Sequence, residues 1–479
     1  MPSAINRLRR EDGWPDRSSS HRPNAAVLMP FLESQFMPVP PQQFPTLTDR
    51  EDRVREGGGA QLNAAAPEQA ARACRLVSLS ADPISIDVLQ CGLLAHFREL
   101  GFEVTAVASP GPALQRAAER ERVQAVPIAI AREISPWRDA VSLFQLWRLF
   151  RRLKPDIVNA GTPKAGLLGM LAARLAGVPV RIYTQRGLRL ETCRGWKQRL
   201  LTWTERVACA CADRVICVGP SLRAACVSRR LVPAEKAVVL ADGSSRGVDA
   251  ARFGEPRRSE ELSRLRSELR LPTDAPVVGF VGRLTRDKGV TELQLAFQQL
   301  RDRHPQTRLL LVGDFETGDP VDARTIEALR HDKSVTITGF VQDTAPYYHL
   351  MTVLAFPSYR EGFPNVPLEA ACAGVPAVGF DATGTVDAIR DGVTGTIVPM
   401  HDVESLTTAL DCYLRNTDLR LEHANAAKER AYLDFAPHRI WNELRMLYLE
   451  LLKSKGVASQ FHVATTRSIE SPQGVRDAA

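Results

Sequence analysis

Two glutamates eight residues apart, Glu361 and Glu369, flank the predicted start of a helix in the second half of the chain. The apolar run 353–358 before them is typical of a buried strand, and an apolar helical pattern follows as far as Gly374. On one continuous helix the carboxylates would lie about 12 Å apart along the axis, whereas the paired carboxyls of glycoside hydrolases lie roughly 5–9.5 Å apart. They therefore suit hydroxyls at two ends of one long ligand, with a phosphate held between them by free N–H groups of the helix start. Two glutamates that only face solvent would show the same spacing.

Two cations, Arg283 and Lys288, follow the predicted strand 277–281. The carboxyl end of a strand in a parallel sheet is where α/β proteins bind ligands. Two cations at this place can neutralise a diphosphate leaving group as charge develops on it, and this work requires no metal ion. Arginine and lysine in such loops are often only solvated, so the interpretation depends on the two glutamates in the same predicted domain.

The elements that must position these side chains are short apolar strands that alternate with helical patterns from Arg75 onward. This alternation predicts parallel sheets covered by helices on both faces. The predicted strands form two series, at 76–80, 103–108, 125–130, 156–160, 180–184, 214–218 and 237–240, and at 277–281, 309–313, 335–339, 353–357, 377–380 and 395–398. The charged stretch 254–275 separates the series, so we predict two α/β domains whose ligand lies in the cleft at the carboxyl ends of the strands.

The predicted domain limits follow from these series and from the composition of the two ends of the chain. Residues 1–70 are rich in Pro, Gln, Ser and charge and are predicted to be a disordered extension. Between this extension and a second disordered tail, the predicted parts are a first domain at 71–253, a second at 254–435 and an amphipathic helix at 436–455, with the tail at 456–479.

The bulk composition is that of a globular protein, with 44% apolar and 24% charged residues. No run approaches the roughly 20 apolar residues of a membrane span, and residues 1–26 lack the apolar core of a secretory signal. The nine cysteines show no metal-ligand spacing, which favours reduced, buried thiols. These features predict a cytoplasmic location.

The basic character of the chain is local. Fifteen Lys and Arg residues stand against five Asp and Glu residues between Arg132 and Arg206, although the whole chain carries a formal net charge of only +7. Such a face favours an anionic partner, whether a membrane surface, a pyrophosphate-bearing lipid or a nucleic acid, and a solvated arginine-rich face is the alternative. Within it, Lys164 lies at the start of a predicted helix, where a cation opposes the helix dipole and so points to a bound anion or to a lysine in water.

The predicted helix 139–153 in this basic region combines an apolar face with several arginines. It could lie on a membrane, but packing against the first sheet explains its apolar face equally well, and we favour packing. Trp196 and Trp203, near further basic residues, form a second candidate membrane contact.

Several ordered motifs resemble glycosyltransferase family 4 over about residues 74–455. They are Gly282-Arg283-Leu284, Asp287-Lys288-Gly289, Leu311-Val312-Gly313, Gly339-Phe340-Val341 and Glu361-x7-Glu369. The run 161–169 looks like the acceptor-domain motif of bacterial capsule and exopolysaccharide transferases. The resemblance implies the GT-B fold, in which an acceptor-binding and a nucleotide-sugar-binding Rossmann-like domain face each other across a cleft. It also implies retaining transfer from a nucleotide-diphospho-sugar without a metal or other cofactor.

The resemblance implies a role for individual residues. Glu361 would lie near the sugar hydroxyls, Arg283 and Lys288 on the donor diphosphate, and Glu369 on the ribose hydroxyls. The other donor-binding positions it implies are Gly282, Phe340, Val341, Gly362, Phe363, Pro364 and Asn365. The acceptor-binding candidates are Lys164 and Arg186.

Three departures from the family pattern concern the first domain. Arg186 stands where many relatives carry a histidine, and because arginine cannot act as a base it would bind phosphate or acceptor instead. The loop 80–85 lacks the glycine pair that many relatives place beneath the donor. Arg246 replaces the asparagine of an Asn-Gly-Val-Asp motif, which leaves the hinge contact open.

The expected function is therefore that of a hexosyltransferase of surface polysaccharide synthesis. It would move a hexose or N-acetylhexosamine from a UDP-linked donor to a polyprenyl-diphosphate-linked saccharide, at the inner face of the plasma membrane and with no nucleic acid partner. Two alternatives remain: a nucleotide-sugar 2-epimerase of the same fold, and a non-catalytic protein that binds sugar nucleotides. An epimerase would form product without any acceptor, and a binding protein would form none.

Overall fold

The computed structural model describes residues 72–131 and 135–458. The predicted extension at 1–70 and residues 459–479 of the predicted tail (456–479) lie outside the described residues. We call the first sheet with the helices packed on it the first lobe, and the second sheet with its helices the second lobe. Of the tail, Val457 and Ala458 are described and pack against an apolar cluster of the first lobe.

The first lobe is built on a seven-stranded parallel sheet with the order β3-β2-β1-β4-β5-β6-β7. Its strands are β1 (Arg75–Leu79), β2 (Glu103–Ala108), β3 (Gln124–Pro127), β4 (Ile157–Gly161), β5 (Val180–Gln185), β6 (Arg214–Cys217) and β7 (Ala237–Val238). The central strands β1, β4 and β5 are largely buried because helices cover both faces of the sheet.

The second lobe holds a six-stranded parallel sheet with the order β10-β9-β8-β11-β12-β13. Its strands are β8 (Val277–Val281), β9 (Arg308–Val312), β10 (Val335–Ile337), β11 (Val353–Phe356), β12 (Ala377–Phe380) and β13 (Gly395–Val398). All thirteen predicted strands are present within three residues at either end, and the predicted α/β class with parallel sheets is confirmed. The order reverses between β8 and β11, and a crevice forms at such a switch point.

The helices connect and cover these strands. Those between β1 and β7 are α1 (Pro83–Leu89), α2 (Leu93–Glu99), α3 (Pro112–Glu121), α4 (Pro136–Leu153), α5 (Pro163–Ala176), α6 (Trp196–Cys211) and α7 (Pro220–Ser228), with a 3-10 turn at Arg189–Thr192. The later ones are α8 (Ala250–Gly254), α9 (Ser259–Glu268), α10 (Val290–Arg303), α11 (Ala323–His331), α12 (Ala345–Tyr348), α13 (Val366–Cys372), α14 (Thr385–Ala388), α15 (Val403–Arg415), α16 (Thr417–Asp434) and α17 (Pro437–Ser454), with a 3-10 turn at Arg286–Lys288.

The last helix, α17, returns to the first lobe. Ile440, Leu444 and Tyr448 are buried in one apolar cluster with Leu76 of β1 and Phe97 of α2. The predicted amphipathic helix is thus confirmed, and its apolar face completes the core on one side of the first sheet. The opposite face of that sheet is covered by α4, α5 and α6.

The nine cysteines all lie within the described residues, and each is unpaired. Six of them are buried, whereas Cys91 is exposed and Cys193 and Cys412 are partly exposed. Burial was predicted correctly for six of the nine, and the reduced state of the thiols stays a prediction.

Candidate functional site

Glu361 lies in the loop between β11 and α13, and not on a helix. The helix begins only at Val366, because the residue before a proline disfavours helical torsions and Phe363 precedes Pro364. The two glutamates therefore flank the start of the helix, as predicted, and the axial separation calculated for one continuous helix does not apply. The Glu361 N–H donates to the carbonyl of Thr383 at 2.9 Å, which fixes the loop.

The Glu361 carboxylate is held between a cation and a hydroxyl. Its Oε1 forms an ion pair with Lys288 Nζ and accepts a hydrogen bond from Ser358 Oγ at 2.7 Å. Lys288 and Glu361 are each 16% exposed, so the pair opens only narrowly to solvent. β8 and β11 are neighbours in the sheet, which brings the loop after each strand to the same place.

Gly289 allows these two loops to meet. Its φ is +68°, and a Cβ at this position would lie 2.0 Å from the carbonyl oxygen of Pro357. Only glycine fits so close an approach in the left-handed region. The sequence Asp287-Lys288-Gly289 thereby places Lys288 beside Glu361.

Glu369 lies in the first turn of α13 and is buried. Its Oε1 accepts from Arg246 Nη2 at 2.8 Å, and its Oε2 accepts from the Tyr348 hydroxyl at 2.8 Å. Burial, with the nearby Glu369 charge, raises the pKa of Tyr348 well above its usual value, so Tyr348 stays a donor. Arg246 lies in the segment that connects β7 to α8, so the arginine that departs from the family pattern ties this connecting segment to the second lobe.

Arg283 is half exposed and forms an ion pair with Glu316 at 2.8 Å. The preceding Gly282 has a φ of +145°. In the other predicted donor turn, Gly339 has a φ of +70°, Phe340 is 83% exposed and Val341 packs against the core. The Phe340 ring therefore projects from the surface of the second lobe.

The loop 362–365 is pressed against the first lobe. A Cβ on Gly362 would lie 2.2 Å from the carbonyl oxygen of Arg186, so only glycine fits. Phe363 is buried with its ring 5.2 Å from that of Phe435, and Pro364 follows it. Asn365 precedes α13 without capping it and accepts from Ser244 Oγ at 3.3 Å.

A cavity of about 1030 Å³ lies beside this loop and is lined by both lobes. Six arginines contribute to its wall: Arg189, Arg194, Arg229, Arg283, Arg286 and Arg360. Of these only Arg283 was predicted as a site residue. Arg189, Arg194, Arg286 and Arg360 lie in the loops after β5, β8 and β11, and this position at the carboxyl ends of the strands was the signal that could have indicated them. Arg229 follows α7, and no such signal marks it.

Arg360, directly before Glu361, connects the lobes across this cavity. Its Nη2 lies 3.2 Å from Asp287 Oδ2, and its Nε donates to Thr192 Oγ1 at 3.2 Å. Burial opposes ionisation of Asp287, but the hydrogen bond from Thr285 and the charges of Lys288 and Arg360 outweigh it and lower the pKa of Asp287. Asp287 thus stays a carboxylate that holds Arg360 beside the site.

The two predicted acceptor-binding residues have different surroundings. Lys164 forms an ion pair with Asp139 of α4 at 2.8 Å, so a carboxylate of the chain itself supplies an anion at the start of α5. Arg186 lines a separate cavity of about 40 Å³ between the first sheet and helices α2 and α17. Neither lines the large cavity, and their role in acceptor binding stays a prediction.

Within residues 72–131 and 135–458, no group of three or more His, Cys, Asp or Glu side chains could hold a metal ion. In the same ranges, every helix is too short or too polar to cross a bilayer.

Two protein families match the chain. The family described as "Glycosyl transferase 4-like domain" matches residues 89–243, and the one described as "Glycosyl transferases group 1" matches residues 275–416. The first match falls within the first lobe and the second within the second lobe.

Two curated relatives extend these matches. The capsular polysaccharide biosynthesis glycosyltransferase CapM of Staphylococcus aureus is 34% identical over 366 residues, which are 76% of this chain and 94% of the relative. The UDP-Gal:alpha-D-GlcNAc-diphosphoundecaprenol alpha-1,3-galactosyltransferase of Escherichia coli is 28% identical over 284 residues, which are 59% of this chain and 72% of the relative.

Solved structures share the fold. Anabaena Alr3699/HepE, solved in complex with UDP-glucose, matches with a TM-score of 0.66 and 20% identity over 79% of this chain and 99% of its own. WaaG, a glycosyltransferase involved in lipopolysaccharide biosynthesis, matches with a TM-score of 0.59 and 15% identity over 78% and 99% of the two chains. The expected pair of facing Rossmann-like lobes is confirmed.

Proposed function

The chain belongs to the glycosyltransferases with the GT-B fold, and from this premise we propose a specific reaction. The protein is a hexosyltransferase that moves a hexose or N-acetylhexosamine from a UDP-linked donor, with retention of configuration, to a saccharide carried on polyprenyl diphosphate. The observation that carries this proposal is the contact of Lys288 and Ser358 with Glu361, on the carboxyl side of neighbouring strands and next to the loop 362–365.

Charge explains how these residues would act. Lys288 and Arg283 supply two cations where the diphosphate leaves, and cations fixed in a partly dry cleft stabilise the negative charge that develops on it. Glu361, oriented by Ser358, accepts hydrogen bonds from the sugar hydroxyls. The acceptor hydroxyl attacks the anomeric carbon on the face of the leaving group, the bond to the diphosphate oxygen breaks, and that oxygen takes the hydroxyl proton.

Glu369 would hold the ribose. Each of its oxygens already accepts one hydrogen bond, from Arg246 or Tyr348, and each retains a lone pair for a ribose hydroxyl. The two fixed donors orient the carboxylate before the nucleotide arrives. The main chain of 339–341 would contact the base, and the main chain of 362–365 the distal phosphate.

The names of relatives support the donor and acceptor classes. The Escherichia coli relative is named for a UDP-galactose donor and a diphosphoundecaprenol-linked acceptor, and the Staphylococcus aureus relative for capsular polysaccharide. We propose the same classes for this chain, with no metal or cofactor, because Arg283 and Lys288 supply the positive charge.

The first lobe would bind an anionic membrane surface. On α4, Trp137, Val141, Phe144 and Arg148 are exposed at helical spacing, while Leu146 packs inward. The favoured packing of this helix on the sheet is thus confirmed for its inner face, and the outer face presents a second apolar stripe. Aromatic and basic side chains together suit the interface of an anionic bilayer.

Helix α6 presents a similar exposed surface. Trp196, Lys197, Arg199 and Trp203 are exposed on it, and both α4 and α6 pack against α5.

Co-sedimentation with vesicles containing phosphatidylglycerol should fall at least about fivefold for the double variant Trp196→Ser/Trp203→Ser. Vesicles of phosphatidylcholine alone serve as the control. Equal sedimentation of variant and wild type would contradict the membrane role.

The reaction is tested with purified protein, UDP-sugars and a short polyprenyl-diphosphate N-acetylhexosamine acceptor. We expect an elongated lipid with the anomeric configuration of the donor, and the same rate in the presence of EDTA. A rate abolished by EDTA and restored by Mg²⁺ would contradict metal-independent transfer. Epimerised UDP-sugar in the absence of acceptor would show the 2-epimerase reaction instead.

A further inference from the structure

The guanidinium of Arg186 has no partner among the residues that the structure describes. It forms no side-chain hydrogen bond and no ion pair there, and its Nη1 is closed off from solvent. Burial lowers the pKa of Arg186 to about 10, so the group still carries its charge at neutral pH. Arg186 is partly exposed as a residue, but a charged nitrogen closed off from water without a hydrogen-bond partner is unfavourable.

The cavity that Arg186 lines offers room for a small group. Its volume is about 40 Å³, and a single water requires about 10–15 Å³. Much of the wall is apolar, with Leu94 and Phe97 of α2 and Ile440 and Leu444 of α17. A planar group carrying one charge suits this space better than a doubly charged phosphate, because the described part of the wall holds one cation.

A second donor faces the same cavity. The Tyr448 hydroxyl accepts a hydrogen bond from Asn159 Nδ2 at 2.8 Å, and Asn159 Oδ1 in turn accepts from Thr184 Oγ1 at 2.7 Å. This chain of bonds leaves the hydroxyl hydrogen of Tyr448 free to donate, within the described residues. Burial raises the pKa of Tyr448, so the hydrogen is retained.

Two residues of the cavity wall contact the loop 362–365 of the proposed donor site. The carbonyl oxygen of Arg186 faces Gly362 so closely that a Cβ there would lie 2.2 Å from it. Ser244, which also lines the cavity, donates to Asn365 Oδ1 at 3.3 Å. A substituent of a sugar bound beside the loop 362–365 would therefore be next to the cavity.

We propose that Arg186 and Tyr448 form a carboxylate subsite, which binds the carboxyl group of an acidic sugar in the substrate. This inference rests on the proposed function for the identity of the carrier, because the carboxylate would belong either to the donor sugar or to a sugar of the acceptor. In both cases the arginine supplies the charge and the tyrosine one hydrogen bond.

The first test measures the melting temperature of wild type and Arg186→Met in buffers free of carboxylates. Because the variant loses a charged nitrogen that has neither water nor a hydrogen-bond partner, we expect its melting temperature to rise by roughly 2 °C or more. Sodium formate, compared with sodium chloride at equal ionic strength, should stabilise the wild type and leave Arg186→Met unchanged. Arg174→Met, at an exposed position on α5, should respond to formate as the wild type does. A variant that melts lower and a wild type indifferent to formate would overturn the subsite.

The second test identifies the carrier. If the donor carries the carboxylate, UDP-glucuronic acid should bind the wild type at least about tenfold more tightly than UDP-glucose, and Arg186→Met should remove the preference. If the acceptor carries it, methyl glucuronide should bind the UDP-loaded wild type, and methyl glucoside should not. If the wild type binds formate but prefers neither UDP-glucuronic acid nor methyl glucuronide over its neutral counterpart, the proposal that the subsite binds a carboxylate of the substrate is overturned. UDP alone should raise the melting temperatures of wild type and Arg186→Met equally. If UDP stabilises neither protein, that result counts against the proposed function but does not affect the formate result.

Discussion

Contacts from several parts of the chain hold Glu361 in place. Its carboxylate is held by Lys288 from one loop and by Ser358 from its own, and the main-chain N–H is tied to Thr383. The residue type and the neighbouring lysine could be predicted from the sequence, because both belong to short motifs. The loop position could also have been inferred from Pro364, which prevents a helix from starting earlier.

Replacing Glu361 by glutamine should separate chemistry from nucleotide binding. Glutamine keeps the shape and the acceptor for Ser358 but loses the charge opposite Lys288, so we expect transfer to fall by about 100-fold. UDP affinity, measured by isothermal titration calorimetry, should change by less than about threefold. Glu260→Gln, at an exposed position on α9, is the matched control. Turnover at the wild-type rate would show that Glu361 has another role.

Glu205 makes stability depend on pH. It is buried on α6, and desolvation raises its pKa to about 7 despite hydrogen bonds from Tyr183 and Gln185. Between about pH 4.5 and 7 the unfolded chain loses this proton while the folded protein keeps it, so stability falls as pH rises, by roughly 3 kcal/mol in total. Above pH 7 the contribution is constant.

The variant Glu205→Gln should remove this dependence. Urea unfolding at pH 5 and pH 8 should show a smaller loss of stability for Glu205→Gln than for the wild type. Glutamine retains an acceptor for the Tyr183 hydroxyl, so the fold should persist. An identical pH response in both proteins would mean that the carboxyl group is already ionised at pH 5.

At the scale of elements, the positions of the strands could be predicted from the sequence, but the contacts between distant parts of the chain could not. Each strand is an apolar run of a few residues bounded by polar or glycine positions, and this local pattern was sufficient. Contacts between residues far apart in sequence decide the remainder. No local sequence pattern indicates that Arg246 donates a hydrogen bond to Glu369. None indicates that α17 packs over Arg186 and the first sheet.

The return of α17 to the first lobe can be tested by truncating its inner face. Leu444 is 5% exposed and packs in the cluster that holds Leu76 and Phe97, so Leu444→Ala should lower the free energy of unfolding by about 2–4 kcal/mol. Met446, 61% exposed on the same helix, gives the control Met446→Ala with a change below about 0.5 kcal/mol. Chemical denaturation measures both, and equal losses would contradict the packing.

At the scale of the whole molecule, the lobes are joined by side-chain contacts as well as by the chain. Ser221 at the start of α7 donates its Oγ to Asp387 Oδ2 at 2.6 Å and accepts from the N–H of Gly384 at 2.8 Å. Burial raises the pKa of Asp387, opposed by these hydrogen bonds from Ser221. The contact ties α7 to α14.

Removal of the Ser221 hydroxyl should loosen the lobes. For Ser221→Ala we expect a larger radius of gyration by small-angle X-ray scattering in the absence of nucleotide, because Asp387 and Gly384 both lose a partner. Addition of UDP should reduce the difference. Ser228→Ala, at the exposed end of the same helix, should scatter as the wild type. Equal radii for all three proteins would mean that other contacts hold the lobes together.

The path of α17 also sets an order of events during synthesis. The helix that seals one face of the first sheet lies at residues Pro437–Ser454, more than 180 residues after the last strand of that sheet, Ala237–Val238. A nascent chain that has left the ribosome as far as the second lobe still exposes Leu76, Phe97 and their neighbours to solvent. The core of the first lobe is therefore completed only after α17 has been translated.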